Sequence, residues 1–208
     1  MDGEAIDIDN SLARVGKWVS WPTHPLFVGT PVSLYVGIRA FGGVNSEVLE
    51  LIGWIGFLGL IFPLGIIYLL ERSGVVSDFF LTRHEDRKWF YPIGLVDLAL
   101  IYLVFSAYGA PTEILAVVAA GVISAAAMTL ANRYVKASLH AAGNAGIATA
   151  LCWVEGLAFW PIWLLVAAAC WGRLACREHR PVEIAVGLAL GILPTAVVMT
   201  WYLGELHW

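Results

Sequence analysis

The 208-residue sequence predicts an all-α fold, a polytopic transmembrane helical bundle of six to seven spans. Hydrophobic residues make up 60% of the chain and charged residues only 13%, whereas about 25% of the residues in a soluble domain are charged. Apolar runs of about 20 residues, the length that crosses a bilayer, follow one another along the chain. Glycine, proline and charged residues separate these runs, as expected for helix ends.

The first element, residues 5–20, has the apolar spacing of an amphipathic helix that lies on the membrane surface. The next segment, residues 25–42, contains two prolines and Arg39, so it either crosses the membrane or lies partly in the interface. The other spans are predicted at residues 51–70, 90–109, 112–131, 141–157, 160–176 and 183–203. We therefore expect an N-terminal interfacial segment, residues 1–22, followed by a single transmembrane domain, residues 23–208.

Glycine and proline mark the turns between the later helices. The stretches 109–111 and 156–161 predict tight returns, and Pro181 occupies a favourable first-turn position for the last helix. The pair Gly187-x-x-x-Gly191 permits close contact between helices. Simple packing is the preferred interpretation of these two glycines.

Polar residues concentrate in three loops, one containing Arg87, one containing Lys136 to His140 and one containing Arg173 to Glu183. Two predicted crossings separate each loop from the next, so all three loops lie on the same face of the membrane. Nine of the 12 basic residues lie on this face, two more join them if the first segment crosses, and only Arg39 is left on the opposite face. The positive-inside rule therefore predicts that the face with the three loops is cytoplasmic.

The spacing Arg173-x5-His179-x3-Glu183 is the most informative pattern in the sequence. His179 lies just before Pro181, at a helix start, where free N–H groups and a partial positive charge favour an anion. Glu183 could accept a hydrogen bond from one imidazole nitrogen and leave the other as a nucleophile. Arg173 could bind two phosphate oxygens with its planar guanidinium. The alternatives are an ordinary helix start and an arginine that anchors its helix at the membrane surface.

The loop Lys136-Ala137-Ser138-Leu139-His140 offers further groups suited to phosphate chemistry. His140 could act as a general acid that protonates the leaving group. Lys136 supplies a point charge, and Ser138 either donates to a phosphate oxygen or caps the following helix.

In the third loop, Arg87 is the preferred phosphate cation, and Arg83, His84 and Lys88 are alternatives to it or membrane anchors. Asp97 lies inside a predicted span, where a carboxylate is costly and by default indicates function. It could neutralise Arg87 or line the substrate pocket.

Other kinds of site are not indicated by the sequence. The three cysteines have no metal-ligand spacing and are interpreted as small apolar residues. The chain has no basic domain and no nucleic-acid-binding motif. We therefore expect no metal, no cofactor and no nucleic-acid partner, while the sequence leaves the oligomeric state open.

The polar loops resemble the signature of the type 2 phosphatidic acid phosphatase family, whose patterns are Lys-x6-Arg-Pro, Pro-Ser-Gly-His and Ser-Arg-x5-His-x3-Asp. Gly172-Arg173-x5-His179-x3-Glu183 is similar to the third pattern, and Ala137-Ser138-Leu139-His140 to the second. The chain also resembles a branch of small bacterial and archaeal members that carry Lys-x-Ser-Leu-His. The similarity covers roughly residues 48–203.

The first pattern departs from the family. Counting back from Arg87 places Phe80 where the lysine belongs, and Lys88 stands where the proline belongs. Lys136 is available to replace the missing cation. Glu183 keeps the charge of the family's aspartate but has a longer reach.

The resemblance implies the family's helical core and a role for each matched residue. His179 would be the nucleophile that forms a phosphohistidine, Glu183 would orient it, and His140 would be the acid. The implied phosphate-binding residues are Arg87, Arg173 and Ser138. The implied activity is metal-independent hydrolysis of a lipid phosphate or diphosphate, such as an isoprenoid diphosphate or a phosphatidate-like lipid, in a prokaryotic plasma membrane.

Three rival functions remain open at this point. A lipid phosphotransferase of the same fold would pass the phosphoryl group to another lipid. A non-catalytic membrane protein that binds a lipid or a partner is favoured by Phe80 and Gly172. A small transporter would need polar groups along a central path, for which only Asp97 and Glu155 are candidates.

Overall fold

The computed structural model describes residues 3–77 and 87–206, and these residues form helices, turns and loops without a strand. The helices are α1 (Gly3–Ser20), α2 (Pro25–Ala40), α3 (Ser46–Gly56), α4 (Phe62–Arg72), α5 (Arg87–Ala107), α6 (Thr112–Ala131), α7 (Leu139–Glu155), α8 (Ile162–Ala175) and α9 (Pro181–Leu203). A π-helical turn, Phe57–Ile61, joins α3 to α4, and a 3-10 turn, Leu157–Phe159, precedes α8. The all-α prediction is confirmed for the described part of the chain.

Four helical stretches in the described ranges are long and apolar enough to cross a membrane, which indicates an integral membrane protein. These stretches are Ser46–Arg72, Thr112–Ala131, Leu157–Ala175 and Pro181–Leu203. The other predicted spans correspond to α2, α5 and α7. With 16 and 17 residues, α2 and α7 are about 24–26 Å long, whereas a bilayer core is about 30 Å thick. The total of six to seven spans therefore stays a prediction.

The helix α2 runs beside α7 in the same direction, and side chains join the two helices at both ends. His24, directly before α2, packs against His140 in the first turn of α7, with ring centroids 4.9 Å apart. At the opposite ends, a nitrogen of Arg39 lies 3.4 Å from an oxygen of Glu155. The segment that the sequence left ambiguous, residues 25–42, is thus an integral part of the bundle and extends as far as α7 does.

The closest helix pair is α7 and α9, and small residues make this approach possible. A Cβ atom on Gly187 would lie 2.6 Å from the carbonyl oxygen of Ser138, and one on Gly191 would collide with the carbonyl oxygen of Ala142. The packing interpretation of these glycines is confirmed. As a consequence, the backbone N–H of Ser138 donates to the carbonyl oxygen of Glu183 at 3.1 Å and joins the two helix starts.

The helix α1 packs against the last turns of α8, although the sequence places it in a separate interfacial segment. A Cβ atom on Gly16 would lie 2.9 Å from the carbonyl oxygen of Gly172, and Cys176 Sγ donates to the carbonyl oxygen of Ala13 at 3.5 Å. The apolar side chains that point away from this contact are Leu12, Val15 and Trp18. The packing holds the end of α1, and the turn that follows it, beside the α8–α9 loop.

The polar helix ends lie at one end of the bundle. Tyr91, one turn after the start of α5, packs with Met128 and Ala137 at the end of α6 and in the following loop. The contact of His24 with His140 adds the start of α2 to this group. The bundle therefore collects the starts of α2, α5, α7 and α9 around a common region.

Replacing Gly191 with alanine should destabilise the protein by about 1–3 kcal/mol, because the added methyl group forces α9 away from Ala142. Thermal unfolding of the purified protein in detergent would measure this effect. Gly65→Ala is the matched control, since no atom lies within 4 Å of its added Cβ, and it should be neutral or slightly stabilising. Equal effects of the two substitutions would contradict the close contact between α7 and α9.

Candidate functional site

Three helix junctions contribute side chains to one cluster. The α1–α2 turn supplies His24, the α6–α7 loop supplies Lys136 to His140, and the α8–α9 junction supplies Arg173 to Glu183. The last two are the loops that the sequence analysis predicts to share one face. We call the residues that meet here the histidine cluster: His24, Lys136, Ser138, His140, Arg173, Glu178, His179 and Glu183.

The imidazole of His179 is held by the carboxylate of Glu183. Nδ1 of His179 lies 3.0 Å from Oε2 of Glu183, and both side chains are buried. A carboxylate accepts, so Nδ1 carries the proton of the neutral ring and Nε2 keeps a free lone pair. The pair therefore presents one imidazole nitrogen as a candidate nucleophile.

Glu183 also forms the start of α9. Its Oε2 accepts from the backbone N–H of Arg180 at 3.2 Å, and its Oε1 accepts from Nε of Arg180 at 3.1 Å. The first of these bonds is the backbone contact of a capping box, and Pro181 occupies the first helical position. Arg180 thus helps to hold the carboxylate that contacts His179.

Ser138 caps α7 and is completely buried. Its Oγ accepts from the backbone N–H of Ala141 at 3.5 Å, and its own backbone N–H donates to Glu183 across the helix pair. Of the two roles that the sequence leaves open for Ser138, the cap is the one with a contact in the structure. Its hydroxyl proton is not used by this cap.

Glu178 engages the two fixed cations of the histidine cluster. Its carboxylate pairs with the guanidinium of Arg173, and its carbonyl oxygen accepts from Nζ of Lys136 at 2.9 Å. The side chain of Arg173 is only 12% exposed, and its Nε is buried without a hydrogen-bond partner. Arg173 and Lys136 are therefore both held by Glu178, the first by its carboxylate and the second by its backbone carbonyl.

The two rings of His24 and His140 meet edge to face at an interplanar angle of 90°. Nδ1 of His24 accepts from the backbone N–H of Leu26 at 3.2 Å, so its Nε2 carries the proton of the neutral ring. Asn144 donates to the carbonyl oxygens of both His140 and Thr23, at 2.9 and 2.8 Å. This amide fixes the start of α7 to the turn that carries His24.

Burial lowers the pKa of His179 below its usual value of 6.5, the hydrogen bond to Glu183 opposes this shift, and the charges of Arg173 and Lys136 reinforce it. Burial also lowers the pKa of His24, and the charge of Arg173 adds to the effect. Both rings are therefore neutral near pH 7. A neutral imidazole is the form that can act as a nucleophile.

Of the remaining predicted site residues, Asp97 is the one whose side chain the structure describes. Asp97 is buried in α5, and its Oδ1 has no hydrogen-bond partner. Arg83, Phe80 and the side chain of Arg87 lie outside what the structure describes. The backbone of Arg87 begins α5, at the end of the bundle that holds the histidine cluster.

Sequence reasoning missed His24 and Glu178. His24 stands directly before Pro25, a signal for a helix start, but nothing local connects it with His140, more than a hundred residues later. Glu178 lies in the five-residue spacer between Arg173 and His179, where the motif specifies the number of residues and not their identity. The sequence signal that could have identified Glu178 is its position directly before the candidate nucleophile His179.

Comparison of the chain with protein-family models, with curated proteins and with solved structures gives no match. The chemical capacity of the histidine cluster follows from its own groups. A lone pair on His179, a second imidazole on His140 and the cations Arg173 and Lys136 can bind an oxyanion, attack it and transfer a proton.

Lowering the pH should destabilise the protein. The pKa values of folded His24 and His179 lie below 6.5, so the unfolded chain binds more protons as the pH falls through that value. We expect the unfolding temperature in detergent to drop from about pH 8 to about pH 5, and to drop less in His24→Gln and His179→Gln. An identical pH dependence in wild type and both variants would contradict the assignment.

Proposed function

We propose that the protein is an integral-membrane lipid phosphatase that hydrolyses a lipid phosphate or diphosphate through a phosphohistidine on His179. Isoprenoid diphosphates and phosphatidate-like lipids are the two candidate substrate classes, because nothing in the histidine cluster distinguishes between their apolar tails. No cofactor is part of the proposal.

One observation carries the proposal: Nδ1 of His179 lies 3.0 Å from the Glu183 carboxylate, in a cluster that also contains Arg173 and Lys136. A histidine nucleophile needs a fixed tautomer, which a carboxylate on Nδ1 provides. A phosphoryl group needs cations to balance the charge that develops during transfer. Few structural roles require all of these groups together at one end of a helical bundle.

The proposed reaction has two steps. In the first, Nε2 of His179 forms a bond to phosphorus while the bond to the leaving oxygen breaks. His140 takes up a proton from solvent when the dianionic substrate binds, and it gives this proton to the leaving oxygen. In the second, water attacks the phosphohistidine, His140 takes the proton of the water, and the P–N bond breaks. Arg173 and Lys136 bind the phosphoryl oxygens, with Arg87 as the proposed third cation.

The resemblance of residues 48–203 to the type 2 phosphatidic acid phosphatases supports the same assignment and extends it. The proposal includes the family's helical core, six to seven spans and a site on the cytoplasmic face of a prokaryotic plasma membrane. The distribution of charge favours this orientation, because Arg39 stands at the opposite end of α2 from the histidine cluster. In that orientation, substrate lipids enter from the inner leaflet.

A non-catalytic lipid-binding protein is the second candidate. The observation in its favour is the contact of Glu178 with Arg173, which occupies a cation that catalysis needs. A phosphotransferase of the same fold shares the first chemical step and differs only in the acceptor of the phosphoryl group. Product analysis with and without an added acceptor lipid separates hydrolysis from transfer.

Wild-type protein in detergent should release phosphate from at least one of farnesyl diphosphate, geranylgeranyl diphosphate, phosphatidate and phosphatidylglycerol phosphate. His179→Ala should lower the rate by about a thousandfold or more, because the nucleophile is lost. Labelled substrate should also leave a base-stable, acid-labile phosphate on wild type and none on His179→Ala.

Tyr102→Phe is the control for this experiment. It removes only the hydroxyl that lies 2.7 Å from the hydroxyl of Tyr202, away from the histidine cluster, so it should leave phosphate release unchanged. Release that survives His179→Ala would eliminate the proposed nucleophile. No release by folded wild type from any of the four lipids would favour the non-catalytic protein.

A further inference from the structure

Glu178 occupies the place where the proposed function puts a phosphate. Its carboxylate lies on the guanidinium of Arg173, and its carbonyl oxygen receives Lys136 Nζ at 2.9 Å. The side chain of Glu178 is 40% exposed, whereas that of Arg173 is 12% exposed. The carboxylate therefore covers a largely buried cation from the more open side of the histidine cluster.

The backbone holds Glu178 in this position. Arg177 adopts a positive φ of 56°, which turns the chain sharply after α8. The backbone N–H of Glu178 then donates to the carbonyl oxygen of Arg173 at 3.2 Å. Because the carboxylate and the guanidinium belong to one short loop, the carboxylate competes for Arg173 at a high effective concentration.

Glu178 does not satisfy the whole guanidinium. The contact uses the terminal nitrogen Nη2, while Nε of Arg173 stays buried without a hydrogen-bond partner. An arginine guanidinium can bind two oxygens of a phosphate or carboxylate side by side. Nε of Arg173 therefore remains as a donor for a second oxygen of a bound ligand. Arg173 is therefore engaged but not saturated by its internal partner.

Charge decides which ligands can displace the carboxylate. A phosphodiester headgroup carries one negative charge, as the carboxylate does, so its charge gives it no advantage over the intramolecular Glu178. A phosphomonoester or a diphosphate carries about two charges or more at neutral pH. Such an anion interacts with both Arg173 and Lys136 and can also use the free Nε.

We propose that Glu178 is a specificity-determining residue that keeps singly charged phosphodiester lipids off Arg173 and gives way to phosphomonoesters and diphosphates. The proposal rests on the proposed function and deepens it. It identifies the headgroup class of the substrate by its charge. Selection against phosphodiesters is needed because a site at the membrane surface is surrounded by phosphodiester lipids in large excess. Discrimination against an abundant wrong ligand requires an element that opposes its binding.

The test compares wild type with Glu178→Gln, which removes the charge and keeps the shape. Phosphate release from phosphatidate in mixed micelles is measured as phosphatidylglycerol, a phosphodiester lipid, is added. Phosphatidylglycerol should inhibit Glu178→Gln at a mole fraction about tenfold lower than it needs for wild type, since a charge-assisted contact no longer competes.

Glu50→Gln is the matched control. Glu50 is an exposed glutamate in α3 with no hydrogen bond or ion pair in the described part of the chain, and its loss of charge should leave inhibition as in wild type. Equal inhibition of wild type and Glu178→Gln by phosphatidylglycerol would overturn the role of Glu178. The same holds if Glu50→Gln becomes as sensitive as Glu178→Gln.

A binding measurement separates this inference from the proposed function. Protection against thermal unfolding is followed as phosphatidylglycerol or inorganic phosphate is added, which requires no catalysis. If wild type releases no phosphate but Glu178→Gln alone gains protection by phosphatidylglycerol, the enzyme proposal fails and the role of Glu178 stands. If phosphate is released but protection by phosphatidylglycerol is the same in all proteins, only the role of Glu178 fails.

Discussion

The close approach of α7 and α9 is the constraint on which the candidate site depends. Gly187 and Gly191 allow the backbone of α9 to lie against the carbonyl oxygens of Ser138 and Ala142. Glu183 stands one turn before Gly187, so this approach fixes the carboxylate relative to the start of α7. His179 is in turn positioned through Glu183. A wider separation of the two helices would separate the imidazole of His179 from that of His140 and from Lys136.

Glu183 links the local folding of the chain to its chemistry. The same carboxylate accepts from the backbone of Arg180, which begins α9, and from the imidazole of His179. The helix start and the orientation of the imidazole are therefore not independent features that could vary separately. A glutamate at this position suits both contacts because its side chain reaches across the first turn of the helix to residues three and four positions earlier.

The sequence predicts those structural features that depend on neighbouring residues. Apolar length and a bounding proline place α6 at Thr112–Ala131, as predicted, and begin α9 at Pro181. The spacing of His179 and Glu183 likewise depends on a single helix turn. His24 could not be predicted in the same way, because its position depends on α1 packing against α8 through Gly16 and Gly172. Such contacts between distant segments leave no periodic pattern in the sequence.

The lengths of α2 and α7 have a consequence for the surrounding lipid. If both helices cross the membrane, as we propose, they are shorter than the hydrocarbon core with their 16 and 17 residues, and such helices thin the bilayer around them. The headgroups of the adjacent leaflet then move towards the midplane beside His24 and His140, where both helices begin. Under the proposed function, hydrophobic mismatch would bring the lipid phosphate to the depth of the histidine cluster while its acyl or prenyl tail stays in the membrane.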